Sequence, residues 1–329
     1  MSYWHEKIKI GNLEVPRFMG GPLDGITDSP FRKLVRGYSS QELLYGEMRH
    51  VGCVANDKGR VKALTFDQNE RPLNYQVSAN KLDFIERACE KILAAQVDCI
   101  DLNIGCPAKN VIRSGSGSSL MGDPARLETI LKIFRKLIPI PFTVKIRAGF
   151  KYKNALDIAK LIEDCGADAV AIHPRLQTQM FNGVPDYELA KQVKEAVSIP
   201  VLLSGGIVNW KTAQRAYEIT GVDGFLIGRG MWSKPWKLYE LQEHAAGRMF
   251  KPSETEILAC ALAHLDNMIE YYGQHGLYAF RKHLPFYLKG KPDASALRGV
   301  LVRSTSIEEV KQGLRSFFTR ENTEQTPGT

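Results

Sequence analysis

The sequence lacks several features that would assign it to a specialised class of protein. It has six cysteines in 329 residues, at positions 53, 89, 99, 106, 165 and 260, and no two of them form a CxxC pair. This spacing argues against a zinc site and a disulfide framework, and it fits a reducing compartment. The sequence also has no apolar run of membrane-spanning length, no secretory leader and no low-complexity tract. We therefore expect a cytoplasmic protein with no bound metal and no membrane partner.

Composition and charge narrow the class further. Hydrophobic residues make up 44% of the chain and charged residues 24%, which is usual for a soluble globular protein. The length accommodates one barrel of about 250 residues together with a smaller domain. The formal net charge of +8 favours an anionic partner, although charge describes attraction and not fold.

Eight short apolar runs predict strands that alternate with amphipathic helices. The strands are expected over residues 17–20, 43–47, 73–77, 99–103, 143–147, 169–173, 201–204 and 224–227. Helices are expected at 83–95, after the Asp123-Pro124 start signal, at 155–165 and at 210–219. This alternation predicts an α/β fold of the (β/α)8 TIM barrel type, with an open doubly wound sheet as the alternative. Residues 8–15 predict a hairpin that plugs the N-terminal end of the barrel.

The strand pattern stops after about residue 247. Residues 254–272, 278–288 and 306–318 predict helices, and Ser306 with Glu309 has the spacing of a capping box. We therefore divide the chain into a catalytic barrel domain (1–247), a C-terminal all-helical domain (248–320) and a tail (321–329). The tail is polar enough to be disordered.

One short run, Leu102-Asn103-Ile104-Gly105-Cys106-Pro107, places an amide and a thiol three residues apart where an apolar strand ends. The serines and glycines of residues 114–119 predict a segment without regular structure, so we expect Cys106 on a mobile loop. A cysteine is often an inert core residue, but the polar and glycine neighbours here favour a chemical role.

The other predicted strands also end in polar residues or glycines. Active sites of parallel barrels lie at the C-terminal strand ends, so these residues predict one shared ligand site. The glycine pairs at the seventh and eighth ends favour a phosphate group, whereas the glycines of residues 115–122 do not fit a dinucleotide fingerprint. The eight ends are Gly20-Gly21-Pro22, Glu47, Gln76, Asn103 with Cys106, Lys145 with Arg147, His173 with Arg175, Ser204-Gly205-Gly206 and Gly228-Arg229-Gly230.

A series of short segments along the chain has the character of signature motifs. They are GPLDGITD (21–28), LNIGCPAKNV (102–111), GSSLMGDP (117–124), VKIRAGF (144–150), HPRLQTQMFNG (173–183), SGGI (204–207), IGRG (227–230) and RKHLPFYLKG (281–290), followed by Ala296-Leu297-Arg298. In sequence and in order these segments closely resemble those of the tRNA-dihydrouridine synthases, and the resemblance covers nearly the whole chain. Three positions depart from the usual family pattern, namely Leu23, Leu176 and Phe181, and none removes a chemical group on which the assignments depend.

The resemblance implies an FMN-containing barrel that uses NADPH to reduce the carbon 5 to carbon 6 double bond of a uridine in RNA. Cys106 would protonate carbon 5 while hydride passes to carbon 6, and a thiol with a pKa near 8.5 is already protonated for that task. The residues implied to bind FMN are Pro22, Leu23, Gln76, Lys145, His173, Ser204, Gly205, Gly206, Gly228 and Arg229.

The expected partner is RNA, with tRNA as the expected substrate, and no DNA. Basic residues interleaved with aromatic ones in the helical domain suit a phosphate backbone, and the target base must be unstacked to reach a pocket. Two alternatives remain open: a dihydroorotate dehydrogenase-like FMN oxidoreductase, and a non-catalytic RNA-binding protein on a vestigial barrel. The residues implied to contact RNA are Asn103, Lys109, Arg147, Arg175, Arg281, Lys282, Lys289 and Arg298.

Overall fold

A closed parallel barrel forms the centre of the computed structural model, which describes residues 3–59 and 62–324. Eight strands pair in parallel in the order β3-β4-β6-β7-β8-β9-β10-β11, and β11 pairs again with β3. This closure confirms the predicted (β/α)8 barrel and excludes the open sheet. The strands are β1 (Ile8–Ile10), β2 (Leu13–Val15), β3 (Phe18–Gly20), β4 (Leu44–Tyr45), β5 (Arg49–His50), β6 (Leu73–Ser78), β7 (Cys99–Asn103), β8 (Phe142–Gly149), β9 (Ala169–Leu176), β10 (Val201–Ser204) and β11 (Gly224–Ile227).

Helices cover the outside of the barrel and build the C-terminal region. Asp123 accepts a hydrogen bond from the amide of Arg126 and Pro124 occupies the first turn, so α5 begins at its predicted signal. Within the described ranges, no helix has both the length and the apolar character needed to cross a bilayer. The helices are α1 (Ser29–Arg36), α2 (Val51–Asn56), α3 (Ile85–Ala94), α4 (Lys109–Arg113), α5 (Pro124–Leu137), α6 (Ala155–Asp164), α7 (Tyr187–Ala196), α8 (Trp210–Thr220), α9 (Lys237–Ala245), α10 (Glu254–Tyr272), α11 (His275–Phe280), α12 (Leu284–Tyr287), α13 (Ala294–Leu301) and α14 (Ile307–Glu324).

The N-terminal hairpin closes one end of the barrel, as predicted. Strands β1 and β2 pair antiparallel, and Gly11 takes a left-handed φ of 57° at the turn. Ile8, Ile10 and Val15 are buried in one cluster with Ala169 and other inward-facing residues at the starts of the strands. The opposite end of the barrel, where the strands finish, is therefore left for a ligand.

The predicted helix over residues 278–288 is wrong as a single element, because the structure contains α11 and α12 with a break between them. Pro285 has no amide hydrogen to donate to the carbonyl of Arg281, so one continuous helix cannot form there. The sequence patterns also missed α13. No side-chain cap precedes that helix, since Asp293 has a left-handed φ of 53° and makes no capping hydrogen bond.

The last helix begins as expected but its capping box is only half formed. The amide of Glu309 donates to Oγ of Ser306 at 3.2 Å, whereas the Glu309 carboxylate accepts from Oγ of Ser304 at 2.5 Å. Helix α14 continues to Glu324, so residues 321–324 of the predicted tail are helical. The remainder of that tail, 325–329, lies outside the described residues.

The C-terminal helices have their own apolar core and pack against α1 of the barrel. Their core includes Leu265, Phe280 and Leu314, and it extends to Trp236 just before α9. At the contact, Oη of Tyr272 donates to Oδ2 of Asp28 at 3.1 Å. Burial, with Glu47 nearby, raises the pKa of Asp28 to about 7.

A buried ion pair holds α1 to the chain segment before β6. Glu70 is fully buried, and its carboxylate lies 2.6 Å from Nη2 of Arg32. The same carboxylate accepts from Oγ of Ser29 and from the amide of Asp67. Because every neighbour of this carboxylate is inside the protein, removal of one partner leaves the other charge without water.

We predict that Glu70→Ala lowers the free energy of unfolding by about 3 to 5 kcal/mol, because it leaves the Arg32 guanidinium buried and unpaired. Urea denaturation followed by circular dichroism measures the change. Glu128→Ala is the matched control, because it removes an exposed partner of Lys132 on α5 and should leave the midpoint nearly unchanged. Equal midpoints for the two variants would contradict the prediction.

Candidate active site

A cavity of about 530 Å³ lies at the C-terminal end of the barrel. Its lining includes Cys106, Asn103 and Arg147 together with all ten residues predicted to bind the cofactor. Seven of the eight predicted strand ends therefore meet in one place. The exception is Glu47, whose carboxylate accepts from the amide of Gly25 and pairs with Arg49, so that Met48 lines the cavity instead.

A chain of hydrogen bonds runs through the barrel beneath this cavity. Oγ1 of Thr143 donates to Oδ1 of Asp101 at 2.6 Å, and Nε2 of Gln76 donates to Oδ2 at 2.8 Å. Nδ2 of Asn103 then donates to Oε1 of Gln76 at 2.9 Å. We call Thr143, Asp101, Gln76 and Asn103 the barrel hydrogen-bond chain. The sequence patterns did not single out Asp101, although it lies two residues before Asn103 and so on the same face of β7.

Asn103 fixes the start of the loop that contains Cys106. Its Oδ1 accepts from the amide of Gly105 at 3.0 Å and from the amide of Cys106 at 2.8 Å. The carbonyl oxygen of Cys106 accepts from both the amide and Oγ of Ser118. The loop is thus bound on both sides of the cysteine.

The prediction that residues 114–119 hold no regular structure is wrong from Gly117 onwards. Residues Gly117–Gly122 form a 3-10 helix, and Ser116 and Ser118 are buried. Gly117 has a φ of 61°, and a Cβ built on it would lie 2.9 Å from the carbonyl oxygen of Cys106. Glycine therefore permits this close approach, and the serine hydroxyls supply the hydrogen bonds that stabilise the segment.

The Cys106 thiol is protonated at neutral pH. Burial raises its pKa above the ordinary value, while the nearby cations of Lys145 and Arg147 act in the opposite sense. The thiol is half-buried and faces the cavity. Such a group can donate a proton to a bound ligand without any depression of its pKa.

Three cations, Lys145, Arg147 and Arg229, line the cavity. Burial and the neighbouring Arg147 lower the pKa of Lys145 to about 8, and Asp101 partly offsets this effect. Within the part of the chain that the structure describes, Nζ of Lys145 forms no hydrogen bond or ion pair with protein. Its ammonium group is therefore available to a ligand that carries negative charge.

His173 is neutral and its tautomer follows from its neighbour. Nη1 of Arg175 lies 3.0 Å from Nε2 of His173, and because guanidinium only donates, Nε2 accepts and the proton is on Nδ1. Burial and the surrounding cations lower the pKa of His173 to about 2. Arg175 itself is not among the residues that line the cavity, and it also donates to the carbonyl oxygens of Asn182 and Gly183. Arg175 is thus held against His173 and the neighbouring loop, and its predicted contact with the uridine stays a prediction.

Arg147 connects two loops at the mouth of the cavity. Its Nε donates to the carbonyl oxygen of Gly105 at 2.7 Å, beside Cys106. Its Nη1 donates to the carbonyl oxygens of Leu176 and Met180. The residue is 2% exposed and still lines the cavity, so its predicted contact with RNA stays a prediction.

The glycines expected to hold a phosphate form a cradle without side chains. Gly205 and Gly206 have φ values of 102° and 84°, and a Cβ on Gly205 would lie 2.6 Å from the His173 ring. The 3-10 turn at Arg229–Met231 begins at Gly228 with no side chain capping its amides. Backbone amides at such turns suit an anion, so this side of the cavity fits a phosphate group.

The remaining predicted RNA contacts lie outside the cavity. A Cβ built on Gly25 would lie 3.0 Å from Nζ of Lys282, which places that lysine beside the loop that follows β3. Arg281 is half-buried and lies over the ring of Tyr278 at 4.6 Å. The side chains of Lys109, Lys289 and Arg298 are exposed.

Several lining residues were missed by the sequence patterns, namely Asp24, Met48, Phe181, Ile207 and Val208. Phe181 is 44% exposed, and the guanidinium of Arg229 lies 4.7 Å from its ring centroid. Its position beside the glycine cradle gives the cavity an apolar edge. Phe181 is only eight residues after His173 in the sequence, which hinted at a place near the cavity. The exposure of its side chain could not be read from the sequence.

Comparison with protein families gives one clear result. A model described as dihydrouridine synthase matches residues 19–322. The probable tRNA-dihydrouridine synthase 1 of Synechocystis is 35% identical over 315 residues, which cover 94% of this chain and 89% of that protein. The tRNA-dihydrouridine synthase B of Pseudomonas aeruginosa is 31% identical over 321 residues, covering 94% and 96% of the two chains.

A solved structure also shares the fold. Histamine dehydrogenase from Rhizobium sp. 4-9 superposes with a TM-score of 0.56 at 12% identity. The match covers 81% of this chain and 51% of that one. At this level of identity the likeness supports the barrel architecture alone.

We predict that Arg147→Ala increases amide hydrogen exchange in two loops at once, at residues 104–107 and at 177–182, because one guanidinium holds both. Hydrogen–deuterium exchange monitored by mass spectrometry measures the exchange rate of each loop. Arg113→Ala is the control, since Arg113 is exposed on the neighbouring α4 and donates only within that helix, to Asn110. Faster exchange in one loop without the other would refute the connection.

Proposed function

Because this chain belongs to the dihydrouridine synthase family, we propose that it reduces uridine to 5,6-dihydrouridine in RNA, with tRNA as substrate, FMN as cofactor and NADPH as electron donor. The observation that supports this most strongly is the convergence of Cys106, Lys145, His173 and the Gly205-Gly206 cradle in one cavity. The cytoplasm is the proposed location, in keeping with a tRNA substrate.

The cavity fits FMN in size and in chemistry. Its volume of about 530 Å³ lies in the usual range for cofactor sites. The glycine cradle at Gly205, Gly206, Gly228 and Arg229 would hold the phosphate, with Ser204 beside it. Gln76 keeps one amide hydrogen free for the ring, and His173 offers Nδ1–H as its donor. Pro22 and Leu23 would supply an apolar contact from the loop after β3.

Cys106 is proposed as the proton donor to carbon 5 of the uridine. When bound, FMN supplies the hydride that reaches carbon 6. The chain contributes a protonated thiol on a loop that Asn103, Arg147 and Ser118 hold in place. Asn103 has one amide hydrogen left for the uridine, and Lys145 stabilises negative charge on the ligand. We propose that Arg175 orients His173 beside the bound uridine.

The barrel (1–247) is proposed as the catalytic domain and the helical region (248–320) as the main RNA-binding domain. Lys282 places positive charge close to the β3 loop, next to the cavity residues Pro22 and Leu23. Arg281 is half-buried, Lys289 and Arg298 are exposed in the same helical region, and Lys109 is exposed three residues after Cys106. An RNA bound along this surface could place one unstacked base in the cavity.

We predict that the purified protein releases FMN and, with NADPH, converts uridine to dihydrouridine in unmodified tRNA. Cys106→Ala should keep its flavin, because that side chain is not in the phosphate cradle, but should lose nearly all uridine reduction, since the proton donor is gone. Visible absorbance measures the flavin, and mass spectrometry of digested RNA measures the product.

Free orotate is the discriminating control for this experiment. NADPH oxidation stimulated by orotate and not by tRNA would favour a dihydroorotate dehydrogenase-like activity. A colourless protein that binds tRNA would favour a non-catalytic barrel. Full uridine reduction by Cys106→Ala would overturn the role given to the thiol while leaving the reaction itself in place.

We predict that RNA affinity falls steeply with salt and that Lys289→Ala/Arg298→Ala reduces the slope of log Kd against log salt by about 2, one for each lost phosphate contact. Fluorescence anisotropy with labelled tRNA at several salt concentrations measures both slopes. Lys132→Ala is the control, because that lysine is exposed on α5 and pairs with Glu128. An unchanged slope in the double variant would exclude these two residues from the RNA interface.

A further inference from the structure

We infer that Asp101 is a positioning residue for the reaction at Cys106, because its carboxylate sets the direction of every hydrogen bond between itself and the Cys106 loop. The inference rests on the proposed role of Cys106 as proton donor. Asp101 is fully buried and does not line the cavity, so it reaches the Cys106 loop through the barrel hydrogen-bond chain, besides its electrostatic effect on the Lys145 ammonium.

The strands bring the members of the barrel hydrogen-bond chain side by side. Gln76 pairs with Asp101 across β6 and β7, and Asp101 pairs with Thr143 across β7 and β8. Asn103 is two residues further along β7 and therefore shares the inner face with Asp101. Each of these side chains consequently meets its neighbour in the barrel interior, away from water.

Only one direction of hydrogen bonding is possible along this chain. A carboxylate accepts and cannot donate, so Gln76 must present Nε2 to Asp101 and Oε1 to Asn103. Asn103 must then present Nδ2 to Gln76, which leaves Oδ1 for the amides of Gly105 and Cys106. If either amide were reversed, Nδ2 of Asn103 would face two amide hydrogens that need an acceptor.

Thr143, at the other end of the barrel hydrogen-bond chain, also donates toward Asp101. Its hydroxyl accepts from Nδ2 of Asn74 at 3.1 Å, and its single proton goes to Oδ1 of Asp101 at 2.6 Å. An asparagine at position 101 would therefore keep its carbonyl oxygen toward Thr143 and turn its amide group toward Gln76. That substitution reverses the direction of the chain while it preserves the shape of the side chain.

The test uses Asp101→Asn and the exchanged pair Asp101→Asn/Asn103→Asp. In the single variant, hydrogen exchange of the Gly105 and Cys106 amides should accelerate about tenfold. This is the effect expected when these amides lose the Asn103 oxygen as acceptor and face its amide group instead. In the exchanged pair, a carboxylate at position 103 accepts both from Gln76 and from the loop amides. Exchange should then return to within about twofold of the wild-type rate, because the chain again has one consistent direction.

Thr143→Val is the matched control. It removes a hydrogen bond to the same carboxylate without reversing the chain, so the loop amides should exchange within about twofold of the wild-type rate. Unchanged exchange in Asp101→Asn, or an exchanged pair no better than the single variant, would overturn the inference. If the single variant does not fold, a folded exchanged pair supports the inference, and failure of both to fold overturns it.

Kinetics separate this inference from the proposed function. Asp101→Asn should lower kcat about tenfold, in step with the loop, and change KM for tRNA less than twofold, because the proposed tRNA contacts on the helical domain lie outside the barrel hydrogen-bond chain. A loosened loop with undiminished kcat would overturn the role of Cys106 in the reaction, and with it the functional part of the inference. An unchanged loop in a protein that still reduces uridine would overturn the inference alone.

Discussion

The members of the barrel hydrogen-bond chain find their partners within the protein, and that constraint determines the geometry of the site. The strands are covered by helices outside and by one another inside, so Asp101, Gln76 and Thr143 are at most 1% exposed. An unpaired polar group there would cost more than its hydrogen bond contributes. The partners are therefore fixed, and they lead in sequence from the barrel centre to the Cys106 loop.

The same constraint explains why two arginines near the cavity hold protein atoms. Arg147 and Arg175 are both almost fully buried, and their donors meet backbone carbonyl oxygens in the loops after β7 and β9. Loops at the ends of barrel strands have few backbone hydrogen bonds of their own. Buried guanidinium groups therefore donate to the backbone carbonyl oxygens of these loops. One arginine thereby defines the mouth of the cavity, and the other sets the tautomer of His173.

Chain order was enough to predict the fold and the cavity, because strand ends in a parallel barrel meet at one edge wherever the strands occur in the sequence. It was not enough to place Asp101, Arg147 or Arg175, since a polar residue in a strand gives no sign of which partner its side chain reaches. The break at Pro285 was visible in the sequence but was outweighed by the apolar pattern around it. The approach of Lys282 to Gly25 depends on contacts between residues far apart in the chain, which no local pattern contains.

The cavity combines two electrostatic demands that normally conflict. The proposed cofactor is anionic and would require cations, and Lys145, Arg147 and Arg229 line the cavity. A thiol beside such cations is usually stabilised as thiolate, which could not donate a proton. Burial opposes that effect at Cys106 and leaves its pKa raised. The depth at which the loop holds the cysteine therefore favours its protonated form, so the hydrogen bonds that set this depth are as important to the proposed chemistry as the thiol itself.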